Sequence, residues 1–432
     1  MPRFNLTENR WLRFLTLCSL YVSQGLPQGF INIALKNHLY DQGSSVEEVG
    51  AMVSMISLPW ALKFVWGPVI DRFGIASMGK RRPWLIFSQA MTVLVIFGLA
   101  TLPDIGTNLQ LLGWSILAMN IFTSIQDVST DSLAVDIVKE KDRGKINGFM
   151  YGSSYLGSFL GGIFIGQFLA MEGGSVQLAL GVMGGCVLLI SLLPLLLRER
   201  PGEKLFPWTK GSSQLTGDQK HVGSARELFG TLGKAFGRPV AIFAAVLAIG
   251  AHIGNLVLVQ IGSEHFVNAR GWGAEGYSQL ESTGYWFALG GAMCGGFVAD
   301  KLGAKRTVIL AGSLIAVDWI VFSRLEPWWD TRWLIVTNMY LLAVAMGVFS
   351  VSMFTLFMNV SNKRVAASQF TAYMAMLNLS MFAGNRLAGS VKEALPSVPA
   401  VYLAAGLAHL ALMVFVLLAI HVHPRKTGPT TG

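Results

Sequence analysis

Charge is what this chain has least of. Only 13% of its residues are Asp, Glu, Lys or Arg, whereas soluble domains carry roughly 25%. A water-soluble fold of this size cannot hide a composition that is 53% hydrophobic with a mean hydropathy of +0.52. Cysteine is nearly absent, and Cys18, Cys186 and Cys294 each fall in an apolar stretch, which argues against a disulfide framework or a zinc site. No phosphate-cradling G-x-x-x-x-G-K-[ST] loop follows a strand, so direct drive by ATP is unsupported. Nor do a nucleophile and a base stand at any diagnostic spacing, and no catalytic residue, metal or cofactor is expected.

Apolar length is abundant instead. Twelve stretches approach the ~20 residues that cross a bilayer as helix, at 11–38, 46–70, 83–103, 108–137, 144–170, 176–197, 239–265, 277–299, 306–325, 332–360, 366–391 and 398–422. The first follows Arg10 and Arg13 with no small-residue cleavage site behind it, and is expected to be kept as a helix. The chain is expected to be an all-α membrane protein.

The net charge of +9 is distributed by side of the membrane rather than gathered for nucleic acid. Of 33 Lys and Arg, 26 fall in the segments that share a side with the N-terminus. Five, Lys36, Arg270, Arg324, Arg332 and Lys392, fall on the opposite side, and Lys63 and Arg386 lie within spans. By the positive-inside rule both termini are expected to be cytoplasmic. The longest connection, 198–238, carries eight basic and four acidic residues and separates an N-terminal bundle, 1–197, from a C-terminal one, 239–432. Within it, 225–237 has the pattern of a short amphipathic helix lying on the membrane surface.

One motif occurs in both halves. Gly67-Pro-Val-Ile-Asp71-Arg72-Phe-Gly74 and Gly296-Phe-Val-Ala-Asp300-Lys301-Leu-Gly303 share G-x-x-x-D-[RK]-x-G, at the polar end of an apolar helix, with their aspartates 229 positions apart. Basic residues follow each copy, Arg81 and Arg82 in the first and Lys305 and Arg306 in the second. An aspartate at a cytoplasmic helix end accepts charge-assisted hydrogen bonds from a neighbouring helix N-terminus or an arginine, so these residues are candidates for a gate; the plainer reading is a marker of the membrane boundary. The repeat, its position between the second and third spans of each half, and the six-plus-six layout resemble the major facilitator superfamily. That resemblance implies twelve transmembrane helices in two six-helix pseudo-repeats with alternating access.

Polar residues inside the spans are costly and mark cavities or partners. On the fourth span Asn120, Thr123, Asp127, Thr130 and Asp131 follow helical spacing on one face, beside Gln126. Two carboxyls one turn apart in a low-dielectric site do not both ionise readily, which makes Asp127 and Asp131 candidates to carry a proton. Lys63 lies two turns before Asp71 at a comparable depth and reads either as their ion-pair partner or as a snorkelling cation. Gln24, Gln28 and Asn32 form a stripe on the first span, where Gly25 and Pro27 suggest an interruption. His252, Asn255 and Gln260 on the seventh span and Gln369, Tyr373, Asn378, Asn385 and Arg386 on the eleventh complete the polar set. Of these, Gln24, Gln28, Asn32, Asn120, Gln126, His252, Asn255, Gln260, Tyr373, Asn378, Asn385 and Arg386 are the candidate substrate contacts. His252 reads as a proton-responsive group or a satisfied structural histidine, and Arg386 as an anion ligand or a snorkelling cation. Asp318 on the ninth span has no evident partner. Gly148, Gly152, Gly157, Gly161, Gly162 and Gly166 on the fifth span allow close helix approach.

A narrower resemblance rests on the first half. Ser23-Gln-Gly-Leu-Pro27, Leu58-Pro-Trp-Ala-Leu-Lys63-Phe-Val-Trp-Gly-Pro68, Gly79-Lys-Arg-Arg-Pro-Trp84, and Gln126-Asp127 leading to Asp131, Asp136 and Arg143-Gly144 are similar to the AmpG-type muropeptide permeases and the related acetyl-coenzyme A transporters, a group that bacterial siderophore importers also resemble. It implies proton-coupled inward movement of an amphiphilic anionic metabolite across a bacterial inner membrane, with protons, a small-molecule substrate and the lipid bilayer as partners; a monomer is expected. An acyltransferase-like membrane enzyme with His252 or the aspartate pair as base is the reading from another class, and the half-by-half repeat has no role in it. A transporter-like receptor is a third reading; receptors of that kind carry a sizeable soluble output segment, and the connections here are short.

Overall fold

Each expected span is helical in the computed structural model, which describes residues 5–73, 75–103, 105–106, 108–138, 140–211, 234, 236–361 and 366–419. In the N-terminal half, α1 is Arg10–Gly29, continuing without a break through a π-helical Phe30–Leu35 into Lys36–Asp41. Next, α2 is Val46–Ala61, joined by a 3-10 turn at Lys63–Val65 to Trp66–Arg72. Then come α3 (Arg82–Ala100), α4 (Leu109–Ile137), α5 (Glu140–Leu160, a π-helical Gly161–Ile165 and Gln167–Ala170) and α6 (Val176–Leu196). In the C-terminal half α7 is Pro239–Gly250 followed by Ile253–Asn268, α8 is Gly273–Leu302 and α9 is Ala304–Arg324. The last three are α10 (Arg332–Val360), α11 (Ala366–Ala394) and α12 (Val398–Ala419). The proposed surface helix at 225–237 lies outside the described residues apart from its last two positions and 234.

Local chemistry starts these helices where it should. Asn9, Ser45, Asn108 and Ser175 each accept from the first-turn backbone, and Ser45 and Glu48 form a reciprocal capping box. Pro239 opens α7 at a position where a missing N–H costs nothing. Gly303 turns the chain from α8 into α9 at φ 88°, a left-handed conformation that explains the last glycine of the second repeated motif.

Interruption falls elsewhere than expected. Pro27 is accommodated inside α1, whereas α2 loosens at Leu62, after Pro59, and α7 is divided at Ala251 and His252. A missing N–H disturbs the ladder at Pro59, and neighbouring helices hold the chain at Pro27.

Among the described residues, seven helices are apolar and long enough to cross a membrane by length and composition: α3, the 149–170 part of α5, α6, α7, α9, α10 and α12. The other five carry many of the buried polar side chains, among them Gln24 on α1, Ser54 on α2, Asp127 on α4, Ser282 on α8 and Asn385 on α11, although Gln89 on α3 and Gln260 on α7 are buried too. Polar groups turned toward other helices lower the mean hydropathy of a span without exposing those groups to lipid.

Packing pairs α1 with α5, α2 with α4, and α3 with α4 and α6 in the first half, and α8 with α10, α9 with α10 and α12, and α7 with α11 in the second. Small residues set the closest approaches. A Cβ on Gly29 would stand 1.9 Å from the Ser158 carbonyl oxygen, and one on Gly161 2.1 Å from that of Leu26, so α1 and α5 touch backbone to backbone. Gly291 and Gly347 do the same for α8 and α10. Gly152, expected to serve likewise, has open space beside it.

Candidate functional site

Two buried polar clusters lie at different depths, and a third braces the start of the linker. The first belongs to the N-terminal half. Because α2 loosens at Leu62, Lys63 sits in the 3-10 turn, and its Nζ reaches Asp127 Oδ2 on α4 at 3.1 Å, with side chains 24% and 5% exposed. The sequence left this lysine open between snorkelling and pairing; the geometry is a pair. One turn along α4, Asp131 accepts from the Tyr21 hydroxyl at 2.5 Å, and the Tyr21 ring meets Tyr151 edge-on at 5.7 Å. Trp60 donates to Asn120 at 3.2 Å and lies under Lys63 Nζ at 5.6 Å, while Trp66 donates to Ser124 at 3.0 Å. Gln126 donates to the Leu20 carbonyl at 3.1 Å. Gln24 is buried with its amide nitrogen unpartnered among the described residues, and Gln28 and Asn32 are half-buried farther along α1. An unpaired buried donor is held at a cost that a ligand's acceptor relieves.

The second cluster crosses the seam between the halves at the end of the bundle opposite the chain termini, here called the far end. Lys36, which the charge distribution put with the loops on that side, is 1% exposed inside α1 and pairs with Glu281 on α8 at 2.7 Å. Asn37 donates to Glu281 at 2.7 Å and to Ser278 at 3.0 Å, and Tyr40 donates to Gln260 at 2.5 Å. Gln260 in turn donates to Asn385 at 2.8 Å, and Arg386 lies 3.8 Å from Glu47 with both side chains about half exposed. Gln260, Asn385 and Arg386 are therefore placed in the closed far seam rather than beside Lys63 and Asp127. Farther in, Tyr155 and Phe159 of α5 meet Tyr285 and Trp286 of α8 at 5.9 and 5.5 Å.

The remaining candidates are spread over the C-terminal half. His252 and Asn255 are half-buried at the break in α7, where the His252 backbone N–H donates to Ser380 at 3.0 Å. Asn378 donates to its own helix at Met374. Tyr373 is buried against Phe357 and accepts from Gln369 at 3.0 Å. Asp318, thought to lack a partner, accepts from Asn338 of α10 at 2.7 Å.

The repeated motifs sit at the termini end. Gly67, Asp71 and Arg72 occupy the short helix that closes α2, and Gly74 lies outside the described residues. Gly296 faces Val351 of α10, Asp300, Lys301 and Arg306 are exposed, and Lys305 donates to the Leu417 carbonyl at the end of α12 at 2.8 Å. Arg81 pairs with Asp136 at 3.0 Å, and Arg82, 1% exposed, donates to the carbonyls of Pro194, Leu195 and Lys204. These contacts brace α3 against α4, α6 and the start of the linker, all within one half.

That brace holds two acids the sequence did not single out. The Glu199 carboxylate accepts the backbone N–H groups of Lys80, Arg81 and Arg82 at the start of α3, and Gly79, at φ 103°, leaves room for it. Burial pushes Glu199 up despite those bonds, and pushes Glu203 up to about 7. A raised acid holds its proton more tightly in the folded chain, so its contribution to stability is full below the ordinary carboxylate range and is lost as pH rises toward 7. Thermal unfolding midpoints should therefore fall more steeply between pH 5 and pH 7.5 in the wild type than in Glu203→Gln. Equal slopes would remove Glu203 from that role.

Comparison with known proteins supplies the context for this geometry. The Major Facilitator Superfamily model matches residues 17–385. The anhydromuropeptide permease of Escherichia coli K12 is 22% identical over 398 residues, covering 88% of this chain and 74% of that one. An uncharacterized protein of Haemophilus influenzae is 29% identical over 141 residues, about a third of each chain, and a putative transporter AmpG 1 of Rickettsia conorii is 25% identical over a similar stretch. Among solved structures, the nucleoside transporter NupG superposes with a TM-score of 0.71 at 13% identity, over 96% of this chain and 100% of that one. The D-xylose-proton symporter does so with 0.68 at 13%, over 94% and 98%. A family match over most of the chain and a shared helical fold lead to one conclusion: the chain belongs to the Major Facilitator Superfamily, as a secondary transporter.

Proposed function

We propose that this transporter imports an amphiphilic anionic metabolite of the anhydromuropeptide class, driven by protons. The observation that carries the reading is the cluster of Lys63, Asp127, Asp131 and Tyr21, two carboxyls a turn apart on α4 and one ammonium, with Asp127 buried and the other two charged groups half-buried within the span region. One cation facing two acids leaves one negative charge in excess, and a proton on the pair neutralises it. With both termini cytoplasmic, as the distribution of basic residues supports, the closed far seam faces outward. The E. coli permease, similar along most of the chain, supports the substrate class. Amide and aromatic groups around the cluster, Gln24, Gln28, Asn120 and Trp60, suit a sugar-peptide ligand, which offers many hydrogen-bonding groups and few large apolar ones.

The test is uptake of labelled anhydromuropeptide into proteoliposomes, with and without an inward-directed proton gradient. Accumulation above the external concentration only with the gradient is the expected result. Uptake that merely equilibrates, gradient or not, would refute the coupling. No uptake by folded protein would refute the substrate class and turn the search to siderophores and acyl-coenzyme A.

A further inference from the structure

A cleft of about 1010 Å³ opens at the far end of the N-terminal half, between α2 and α4 and beside the tip of α1. Its lining is graded by depth. Glu48, Asn108 and Gln110 stand at the mouth with His38, Gln42 and Ser44, whereas Ala51, Met52 and Met55 of α2 line it farther in with Gly113 and Trp114 of α4. At 1.5 Å per residue, Met55 lies about 10 Å deeper than Glu48, and Trp114 about 6 Å deeper than Gln110. Those depths fall within one leaflet, whose share of the hydrocarbon is about 15 Å. On the α4 side Trp114 is 57% exposed and Leu111 40%, so that wall borders the bilayer.

Charge at the mouth is of one sign. Among the residues that line the cleft Glu48 alone is fully ionised at neutral pH, the other polar groups being amides, a hydroxyl and the imidazole of His38. The Ser45 backbone N–H and hydroxyl both donate to Glu48 Oε2, at 3.0 and 2.7 Å, which leaves Oε1 free among the described residues. Two helices also begin here, α2 behind Ser45 and α4 behind Asn108. Each cap satisfies one first-turn N–H, of Glu48 and of Leu111, and the earlier donors of both helices point outward with the positive ends of their dipoles. A carboxylate beside two helix N-termini suits a headgroup that carries both signs of charge.

We propose that this cleft binds one phospholipid of the far leaflet, and that its headgroup is a zwitterion with a primary ammonium, phosphatidylethanolamine. The ammonium donates to Glu48 Oε1 and to the amide oxygens of the mouth. The phosphate sits against the first turns of α2 and α4, and one acyl chain lies along Ala51, Met52, Met55 and Trp114. A primary ammonium has N–H donors for these acceptors; the trimethylammonium of phosphatidylcholine has none. Phosphatidylglycerol would bring an anion to Glu48 with no cation to pair it. Methionine suits such a wall, because an unbranched thioether adapts to a chain of no fixed shape. The site is separate from the Lys63 and Asp127 cluster, since its lining on α2 ends at Met55, five residues short of Trp60.

Native mass spectrometry of the purified full-length chain tests this, after incubation with equal amounts of phosphatidylethanolamine, phosphatidylcholine and phosphatidylglycerol of identical acyl chains. The wild type should retain one phosphatidylethanolamine in preference to either other lipid by about tenfold, the contribution of one hydrogen bond to a charged group. Glu48→Gln keeps the capping box, where glutamine serves as glutamate does, and should lower retention of phosphatidylethanolamine to that of phosphatidylcholine. Ala51→Trp fills the cleft and should remove the retained lipid, whereas Glu47→Gln, outside the lining, should change nothing. Melting of the lipid-free proteins shows which variants are folded, and Glu48→Gln decides the matter should Ala51→Trp fail to fold. Equal retention of the three lipids by the wild type overturns the proposal. So does a preference that survives Glu48→Gln, or a lipid still held by folded Ala51→Trp. Competitive displacement of the retained lipid by anhydromuropeptide would give the cleft to the substrate and overturn the lipid assignment as well.

Discussion

Proteoliposomes carrying Asp127→Asn should bring labelled substrate to the external concentration and no higher. For one proton carried with each substrate, a gradient of one pH unit gives the wild type about 1.4 kcal/mol to work with, about tenfold accumulation. Asparagine keeps the shape of the side chain and a hydrogen bond to Lys63, but it cannot take up a proton. Its folding cost needs separating from its effect on coupling, because removing one partner of a buried pair costs about 3 to 5 kcal/mol by leaving the other charge alone. Lys63→Met with Asp127→Asn removes that orphan and should restore expression and melting temperature without restoring accumulation. If either protein still concentrates substrate against its gradient, Asp127 is not where coupling occurs.

Gly29→Leu should be the most damaging single substitution away from charge. The Cβ would meet the Ser158 carbonyl oxygen at 1.9 Å and its Cα at 2.6 Å, and backbone on two packed helices cannot yield as a flexible side chain does. Overpacking costs typically 1 to 3 kcal/mol and occasionally more, and this contact belongs at the upper end, about 3 kcal/mol or beyond. Gly152→Leu, on the partner helix α5 but facing open space, should stay within about 0.5 kcal/mol of the wild type. Melting of the purified proteins decides it. Similar midpoints for the two would show that α1 and α5 separate at little cost.

Features that repeat along one helix could be read from the sequence; features that join distant segments could not. Asp127 and Asp131 are one turn apart, and Lys63 could be set at their depth by counting residues from Asp71, because helical rise converts position into height. Lys36 and Glu281 are 245 positions apart in different halves, and no local spacing relates them. A signal for Lys36 did exist: it continues the stripe of Gln24, Gln28 and Asn32 at intervals of four, and a cation there is more naturally a partner than a loop residue. Arg81 and Arg82 were read with the repeated motif because they follow it. Their contacts with Asp136 and with the segment after α6 depend on how α3 sits in its bundle, which sequence spacing does not express. Pro27 and Pro59 show the limit of local rules, since the same residue is absorbed in α1 and loosens α2.

The π-helical stretch at Phe30–Leu35 has a consequence for everything beyond it in α1. Such a turn holds one more residue than an α turn, so it rotates the remainder of the helix by about 100° relative to a regular one. It acts as a phase shifter between two messages on a single rod. Before it, Tyr21 and Ser23 face their own half; after it, Lys36, Asn37 and Tyr40 face the other. The partnering turn on α5, Gly161–Ile165, packs against it, so both rods change phase at the same level. A single helix can thus belong to the interior of one half at its base and to the boundary between halves at its tip.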